Sequence, residues 1–278
     1  MRAKKHLGQH FLKSEKALVQ IRDASEVNAE DIILEIGPGL GVLTADLILF
    51  AGKVVAIEKD RELIPQLEEK FKVAIEKNRL EILEEDVLDF DPNVMGFYKD
   101  FTYKVVANIP YYITGAILEK FLSAQTQPES MTLLIQKEVA ERIVARDRKP
   151  LGSAQGKESI LSLSVKAYGK PRIIAKVPAG AFTPPPKVDS AILHIDDISR
   201  DFFTDVDERL FFNLIKATFA GKRKQIGGTL SKFLGDKERA LLVLKKAKIA
   251  STTRPEALAL PSWKRLAQAI KNAKESVQ

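Results

Sequence analysis

Short, near-continuous apolar runs recur along the first two thirds of the chain, at Asp31 to Ile36, Lys53 to Glu58 (KVVAIE), Leu80 to Leu83, Lys104 to Ala107 (KVVA) and Met131 to Ile135 (MTLLI). Each reads as a strand buried on both faces. Between them the apolar period lengthens to that of a helix. Asp60 to Lys77 places Leu63, Ile64, Leu67, Phe71, Ala74 and Ile75 on one helical face, and Thr114 to Leu122 and Lys137 to Ala145 fill later intervals with helix. Ser14 is suited to cap an earlier helix through Ala17, Leu18 and Ile21. Buried strands separated by amphipathic helices predict an α/β fold, a doubly wound and mostly parallel sheet covered on both faces. Ile173 to Val177 and Ala191 to Ile195 read as late strands, joined across Thr183-Pro184-Pro185-Pro186, which cannot be helical.

After Arg200 the pattern changes. Leu210 to Phe219, Thr229 to Leu234 and Lys237 to Lys246 read as helices and no strand pattern returns, so residues 200–278 are expected to form a second, smaller all-α domain behind an α/β domain of residues 1–199. Gly152 to Gly156 lies in a polar stretch between helices and reads as an exposed loop. The sequence contains no internal repeat and no low-complexity tract.

Composition narrows the classes. The chain has 278 residues, enough for a sizeable core, and zero cysteines, which removes disulfides, thiolate zinc sites and cysteine nucleophiles and fits a reducing cytosol. With 45% hydrophobic and 29% charged residues it has a soluble globular composition. No apolar run approaches the ~20 residues of a membrane-spanning helix, and Met1 to Lys16 lacks the apolar core of a signal peptide. The net charge is +7, from 44 basic and 37 acidic residues, and it is unevenly placed. Arg200 to Gln278 holds 17 basic and 8 acidic residues, whereas residues 1–199 carry a net −2. Within the basic third, Thr218 to Ala250 has nine basic residues against two acidic ones and includes the run Lys222, Arg223, Lys224. The first sixteen residues add five basic and one acidic. Two basic ends around an acidic body suit a polyanion held from both sides, and solvated helix faces are the plainer alternative.

The first strand runs into Glu35-Ile36-Gly37-Pro38-Gly39-Leu40-Gly41, followed by an apolar helix from Val42 to about Phe50. Glycines there let a ligand approach the backbone at the carboxyl end of the strand, where open α/β sheets bind ligands. The G-x-G-x-G spacing serves NAD-dependent dehydrogenases and methyltransferases alike, and plain turn chemistry also produces it. Glu58, at the end of the second strand, can accept hydrogen bonds from both hydroxyls of a ribose, which suits either cofactor. Two features favour S-adenosylmethionine. Glu35 directs a carboxylate toward the ligand's amino-acid end, a poor neighbour for a pyrophosphate but tolerable beside an ammonium. Asp86, after the third strand, can accept from an adenine amine or simply cap a helix.

The fourth strand ends in Asn108-Ile109-Pro110-Tyr111-Tyr112. An exocyclic amine is a poor nucleophile because its lone pair is delocalised into the base ring. An Asn side-chain oxygen together with a backbone carbonyl can hold its hydrogens, and a tyrosine ring can stack on the base. A sulfonium already activates the methyl group, so positioning and local polarity carry the rate and no base of shifted pKa is required.

The segment Asn108 to Tyr111 resembles the amine-methylating signature of nucleic-acid adenine methyltransferases. Around it the chain is similar to the bacterial ribosomal RNA dimethyladenosine transferases, which modify two adjacent adenosines near the 3′ end of 16S RNA. The resemblance is carried by Leu7 to Leu12 (LGQHFL), Glu35 to Gly41, Glu58, Glu85 to Leu88, Asn108 to Tyr112, Gln136 to Arg142 (QKEVAER) and Phe182 to Ser190 (FTPPPKVDS). It implies a Rossmann-like class I methyltransferase using S-adenosylmethionine, with cofactor contacts from His10, Leu12, Gly37, Glu58, Asp86 and Asn108. Asn108, Tyr111 and Phe182 then form the catalytic set, with Tyr111 stacked on the target adenine and Phe182 flanking it. No metal is expected. The implied partner is small-subunit ribosomal RNA in an immature 30S particle, met in the cytoplasm by a monomer. A resistance-type methyltransferase of large-subunit RNA and a chiefly non-catalytic assembly factor are the competing readings. One departure falls in the basic domain, where Ile226-Gly227-Gly228 follows Lys224 and relatives continue a basic helix. Each glycine costs roughly 1 kcal/mol of helix propensity.

Overall fold

The computed structural model describes residue 4 and residues 8–97, 102–144, 157–221 and 224–275. The expected loop at Gly152 to Gly156, and Lys222 and Arg223 of the basic run, lie outside the described residues. The chain forms two compact units, Met1–Glu141 with Gly169–Ile198, and Arg142–Tyr168 with Ser199–Gln278.

The first unit is built on a seven-stranded sheet. Its strands are β2 (Ile32–Ile36), β3 (Lys53–Glu58), β4 (Leu80–Glu84), β5 (Tyr103–Asn108), β6 (Ser130–Gln136), β7 (Lys170–Val177) and β9 (Ser190–Asp196), in spatial order β4-β3-β2-β5-β6-β9-β7. The first five are mutually parallel, and β9 runs antiparallel to both β6 and β7. The helices are α1 (Glu15–Ser25), α2 (Val42–Phe50), α3 (Ile64–Lys70), α4 (Lys72–Glu76), α5 (Thr114–Leu122) and α6 (Lys137–Val144), the last crossing into the second unit. Every residue of β2 is buried, as are nearly all of β3, β5 and β6. Successive side chains point to opposite faces, so these central strands are covered on both sides, as their near-continuous apolar runs anticipate. The edge strands β4 and β7 are only partly buried. A separate two-stranded ribbon pairs β1 (Phe11–Leu12) antiparallel with β8 (Phe182–Thr183). Ser14 caps α1, its side chain accepting from the Ala17 N–H at 3.3 Å.

The single helix expected over Asp60 to Lys77 is two short helices. Pro65 fixes the start of α3, and Phe71 leaves helical geometry with φ −113° and ψ 20°. The break has a packing cause. Gly41 has φ +70°, and a Cβ built on it would lie 2.5 Å from the Phe71 ring, so the ring occupies the space that the glycine leaves. Lys70, beside the break, donates to the carbonyls of Leu40 at 2.8 Å and Gly41 at 3.2 Å. The interruption therefore clamps the glycine loop.

The second unit is helical among the described residues, comprising α7 (Ile160–Tyr168), α8 (Glu208–Phe219), α9 (Ile226–Leu234), α10 (Lys237–Lys246) and α11 (Leu260–Glu275). A boundary at residue 199 alone misses Arg142–Tyr168, because α7 buries Leu163 and Ala167 in the same core as Phe211, Leu230, Val243 and Trp263. Gly227 falls in the first turn of α9, where its cost to the helix is offset by close packing. Its N–H donates to Ser251 O at 2.9 Å, and a Cβ there would sit 3.0 Å from Ser251. Asp207 and Asp236 cap α8 and α10 through the N–H groups of Leu210 and Arg239.

Candidate functional site

The strand order reverses between β2 and β5, since the chain runs β2-β3-β4 to one side and then β5-β6 to the other. Ligands bind open α/β sheets in the crevice outside the carboxyl ends of the strands at such a point. The register Ile36↔Ala107 brings Gly37 and Asn108 to neighbouring positions there, and Gly37 N donates to Ile57 O at 2.9 Å, one residue before Glu58. A cavity opens at this edge, and His10, Leu12, Gly37, Glu58, Asp86, Asn108 and Tyr111 all line it. Seven of the eight residues that the resemblance singles out are thereby brought together, with Glu35 beside them.

Phe182 is the exception. Its ring is 1% exposed and packs in the apolar core with Leu12, Val177 and Ala181. Pairing of β8 with β1 anchors its backbone opposite Leu12, so in this arrangement it supports the wall from behind and presents no face to a base.

The Asn108 amide has a defined orientation. Its Nδ2 donates to the main-chain oxygen of His10 at 3.0 Å. A carbonyl can only accept, so the bond settles which end of the amide is which and leaves Oδ1 as the acceptor end. The His10 ring is fixed in turn by Nδ1 against Pro184 O at 2.8 Å, which places the proton of the neutral imidazole on Nδ1. Its face lies over Tyr111, with centroids 6.0 Å apart and planes 25° from parallel. Tyr111 is half-buried and its hydroxyl meets Ser190 Oγ at 2.7 Å, while Tyr112 beside it is 64% exposed.

At the other end, Glu58 is buried and accepts from Gly39 N–H at 3.0 Å and Asp60 N–H at 2.8 Å. Burial pushes its carboxyl above the usual range, with those N–H bonds opposing and the Asp60 charge adding to the rise. Asp60 also takes Lys4 Nζ at 2.7 Å and Gln9 Nε2 at 2.8 Å, tying these two residues to the loop that follows Glu58. Burial acts to raise the Asp60 carboxyl, but the Lys4 and Gln9 bonds outweigh it and hold it below the ordinary value. Asp86 accepts from Lys59 Nζ at 2.5 Å and Leu88 N–H at 2.9 Å, and these contacts overcome its burial to keep it ionised.

Glu35 sits beneath the glycine loop, 1% exposed, with Oε2 making no hydrogen bond. Burial pushes its carboxyl up to about 8, Glu58 adds to the rise, and Thr44 and Lys70 offset part of it. Thr44 Oγ1 lies close by without completing a hydrogen bond of good geometry.

Sequence reasoning missed Lys4, Gln9, Lys59, Asp60 and Ser190. Asp60 alone had a local signal, standing two residues after Glu58 at the strand end. The others reach the site from 27 to 79 residues away from their partners, through contacts that no local spacing encodes.

No helix among the described residues is long and apolar enough to cross a membrane. The family model for ribosomal RNA adenine dimethylases matches residues 1–272. Ribosomal RNA small subunit methyltransferase A of Dehalococcoides mccartyi is 41% identical, covering 96% of this chain and 88% of its own. The protein of that name from Clostridium botulinum is 38% identical, with 96% and 93% covered. Among solved structures, a dimethyladenosine transferase from Plasmodium falciparum aligns with TM-score 0.77 and 26% identity over 96% of this chain and 98% of its own. The 23S rRNA methyltransferase ErmE aligns with TM-score 0.72 and 25% identity over 94% and 99%. With the cavity at the switch point and the Asn108 motif on its rim, these matches place the chain in the ribosomal RNA adenine dimethylase family.

Proposed function

We propose that the chain dimethylates the exocyclic amines of two adjacent adenosines near the 3′ end of 16S ribosomal RNA during small-subunit maturation. The methyl donor is S-adenosylmethionine, which supplies a methyl group already activated on a sulfonium. The cavity residues fit it. Glu35 Oε2 is a buried acceptor without a partner, suited to an ammonium, and a Cβ at Gly37 would meet nothing within 4 Å, so the space beside the loop is open. In this reading Glu58 holds the ribose hydroxyls, Asp86 the adenine amine, and His10, Leu12, Gly37 and Asn108 complete the cofactor wall.

The observation that carries the reading is the Asn108 amide at the cavity wall, held through Nδ2 by the His10 main-chain oxygen so that Oδ1 remains its acceptor end. Oδ1 and a main-chain carbonyl of the Asn108–Tyr111 loop accept the hydrogens of the target amine and leave its lone pair directed at the methyl group. Tyr111 stacks on the adenine, which is swung out of its RNA stack to reach the cavity. Phe182 stays in the core and is given no contact with the base.

The helical unit serves as the RNA-binding domain, with Lys232, Lys237, Lys245, Lys246 and Lys248 exposed for phosphate contacts. The chain acts as a cytoplasmic monomer on immature 30S subunits. Its small-subunit relatives at 41% and 38% identity favour this substrate over the large-subunit RNA named for ErmE.

Asn108→Ala tests the assignment and separates it from a non-catalytic assembly role. Loss of methylation with retained subunit binding is expected. Full methylation by the variant would contradict the mechanism.

A further inference from the structure

We infer that Ser190 is a positioning residue for methyl transfer, and that the Tyr111 hydroxyl acts through it as a tether and makes no proton transfer with the substrate. This rests on the reading that the Tyr111 ring walls the target base. Ser190 opens β9, is fully buried, and is fixed on both sides by the sheet, paired with Gln136 of β6 and Val177 of β7. Its Oγ meets the Tyr111 hydroxyl at 2.7 Å. The residue before it is also locked. Asp189 O accepts from Lys137 N–H at 3.0 Å, and Asp189 Oδ1 accepts from Ala179 N–H at 3.1 Å. Asp189 and Ser190 are therefore a fixed anchor beside the catalytic loop, and the tyrosine reaches Ser190 across 79 residues of sequence.

The geometry assigns each part of Tyr111 a separate task. One face of the ring is set against His10, which bears on the plane of the ring, and the hydroxyl is occupied at Ser190, which pins its far end. Burial raises the phenol above its ordinary value, with the Ser190 bond opposing and the Asp189 charge adding to the rise. A hydroxyl so placed remains protonated through the neutral range and spends its bond on the serine. Its contribution is to hold a stacking surface beside Asn108 before the base arrives, which reduces the ordering required on binding.

The test is a double-mutant cycle on the full chain with immature small subunits, using Ser190→Ala, Tyr111→Phe and the double variant, alongside Tyr111→Ala. Each single change removes the same hydrogen bond from opposite ends, so Tyr111→Phe guards against a folding defect peculiar to the buried Ser190 position. Each is expected to lower kcat/KM for the subunit by roughly threefold to tenfold, the worth of one hydrogen bond, and the double variant to be no worse than either. S-adenosylmethionine affinity by calorimetry and the shape of the pH profile should not change. Wild-type rates in both single variants, additive losses in the double, or a pH profile altered by Tyr111→Phe would overturn the tether. Unimpaired Tyr111→Ala would instead overturn the base-wall reading on which it rests.

Discussion

Asn108 and His10 are 98 residues apart in sequence, yet the side-chain amide of the first donates to the main-chain oxygen of the second at 3.0 Å. The main chain at His10 thereby sets the polarity of the Asn108 amide, and a change of side chain at position 10 leaves that contact in place. Asn108→Asp puts an oxygen where the donor was and sets it against the His10 carbonyl. Methyl transfer should fall by roughly 10²–10³. His10→Ala leaves that carbonyl in place and removes the ring contact with Tyr111, worth about 1 kcal/mol, and the Nδ1 hydrogen bond to Pro184 O, and should cost about tenfold. Measured initial rates at saturating cofactor distinguish the two, and equal losses would show that the His10 carbonyl does not orient the amide.

Glu35 makes cofactor-free stability fall as pH rises. Its folded-state carboxyl keeps its proton up to about 8 against an ordinary 4.5, so across that window the folded chain binds more protons than the unfolded one. Stability from this group is complete below about 4.5 and is lost as pH climbs through about 8, at up to ~1.4 kcal/mol per pH unit. Glu35→Gln should flatten that decline, melt higher than the parent chain at pH 8.5, and bind S-adenosylmethionine more weakly. Melting curves at pH 6 and 8.5 without cofactor give the comparison, and parallel declines in both proteins would refute it.

Gly41 serves both conformation and packing. Its φ of +70° disfavours any side chain, and a Cβ would meet the Phe71 ring at 2.5 Å. Gly41→Ala should destabilise the first unit by about 2–4 kcal/mol, combining left-handed strain and overpacking. A fall of less than about 1 kcal/mol in denaturant unfolding would mean that the ring moves aside freely.

The sheet was legible because its central strands are buried on both faces, and Ile32–Ile36 and Tyr103–Asn108 therefore appear as near-continuous apolar runs interrupted only by Glu35 and by Lys104 and Asn108. Glu35 to Gly41, Glu58, Asp86 and Asn108 were legible because a strand's carboxyl end is a local feature. What could not be read depends on distance. The Phe71 break comes from the loop at Gly41, thirty residues earlier. The burial of Phe182 follows from pairing with Leu12. Arg142–Tyr168 joins the helical core through Leu163 and Ala167, whose partners lie beyond residue 200. The proline run after Phe182 looks alike in sequence whether the ring turns inward or out.

The basic third of the chain should govern salt dependence without touching cofactor affinity. Replacing Lys222, Arg223 and Lys224 together with Ala is expected to weaken RNA binding and to lower the slope of log K against log salt by about 2. Filter binding across a salt series measures it. An unchanged slope would remove this run from the interface, and a changed S-adenosylmethionine affinity would place it elsewhere.

The central claim is that a cavity framed by Glu58 and Asn108 dimethylates adjacent adenosines of the small subunit. Incubation with labelled S-adenosylmethionine and immature small subunits, followed by mapping of the modified nucleotides, addresses it most directly. The expected result is two methyl groups on each of two neighbouring adenosines near the 3′ end of 16S RNA. Label confined to large-subunit RNA, or absent from immature small subunits under conditions where the cofactor binds, would contradict it.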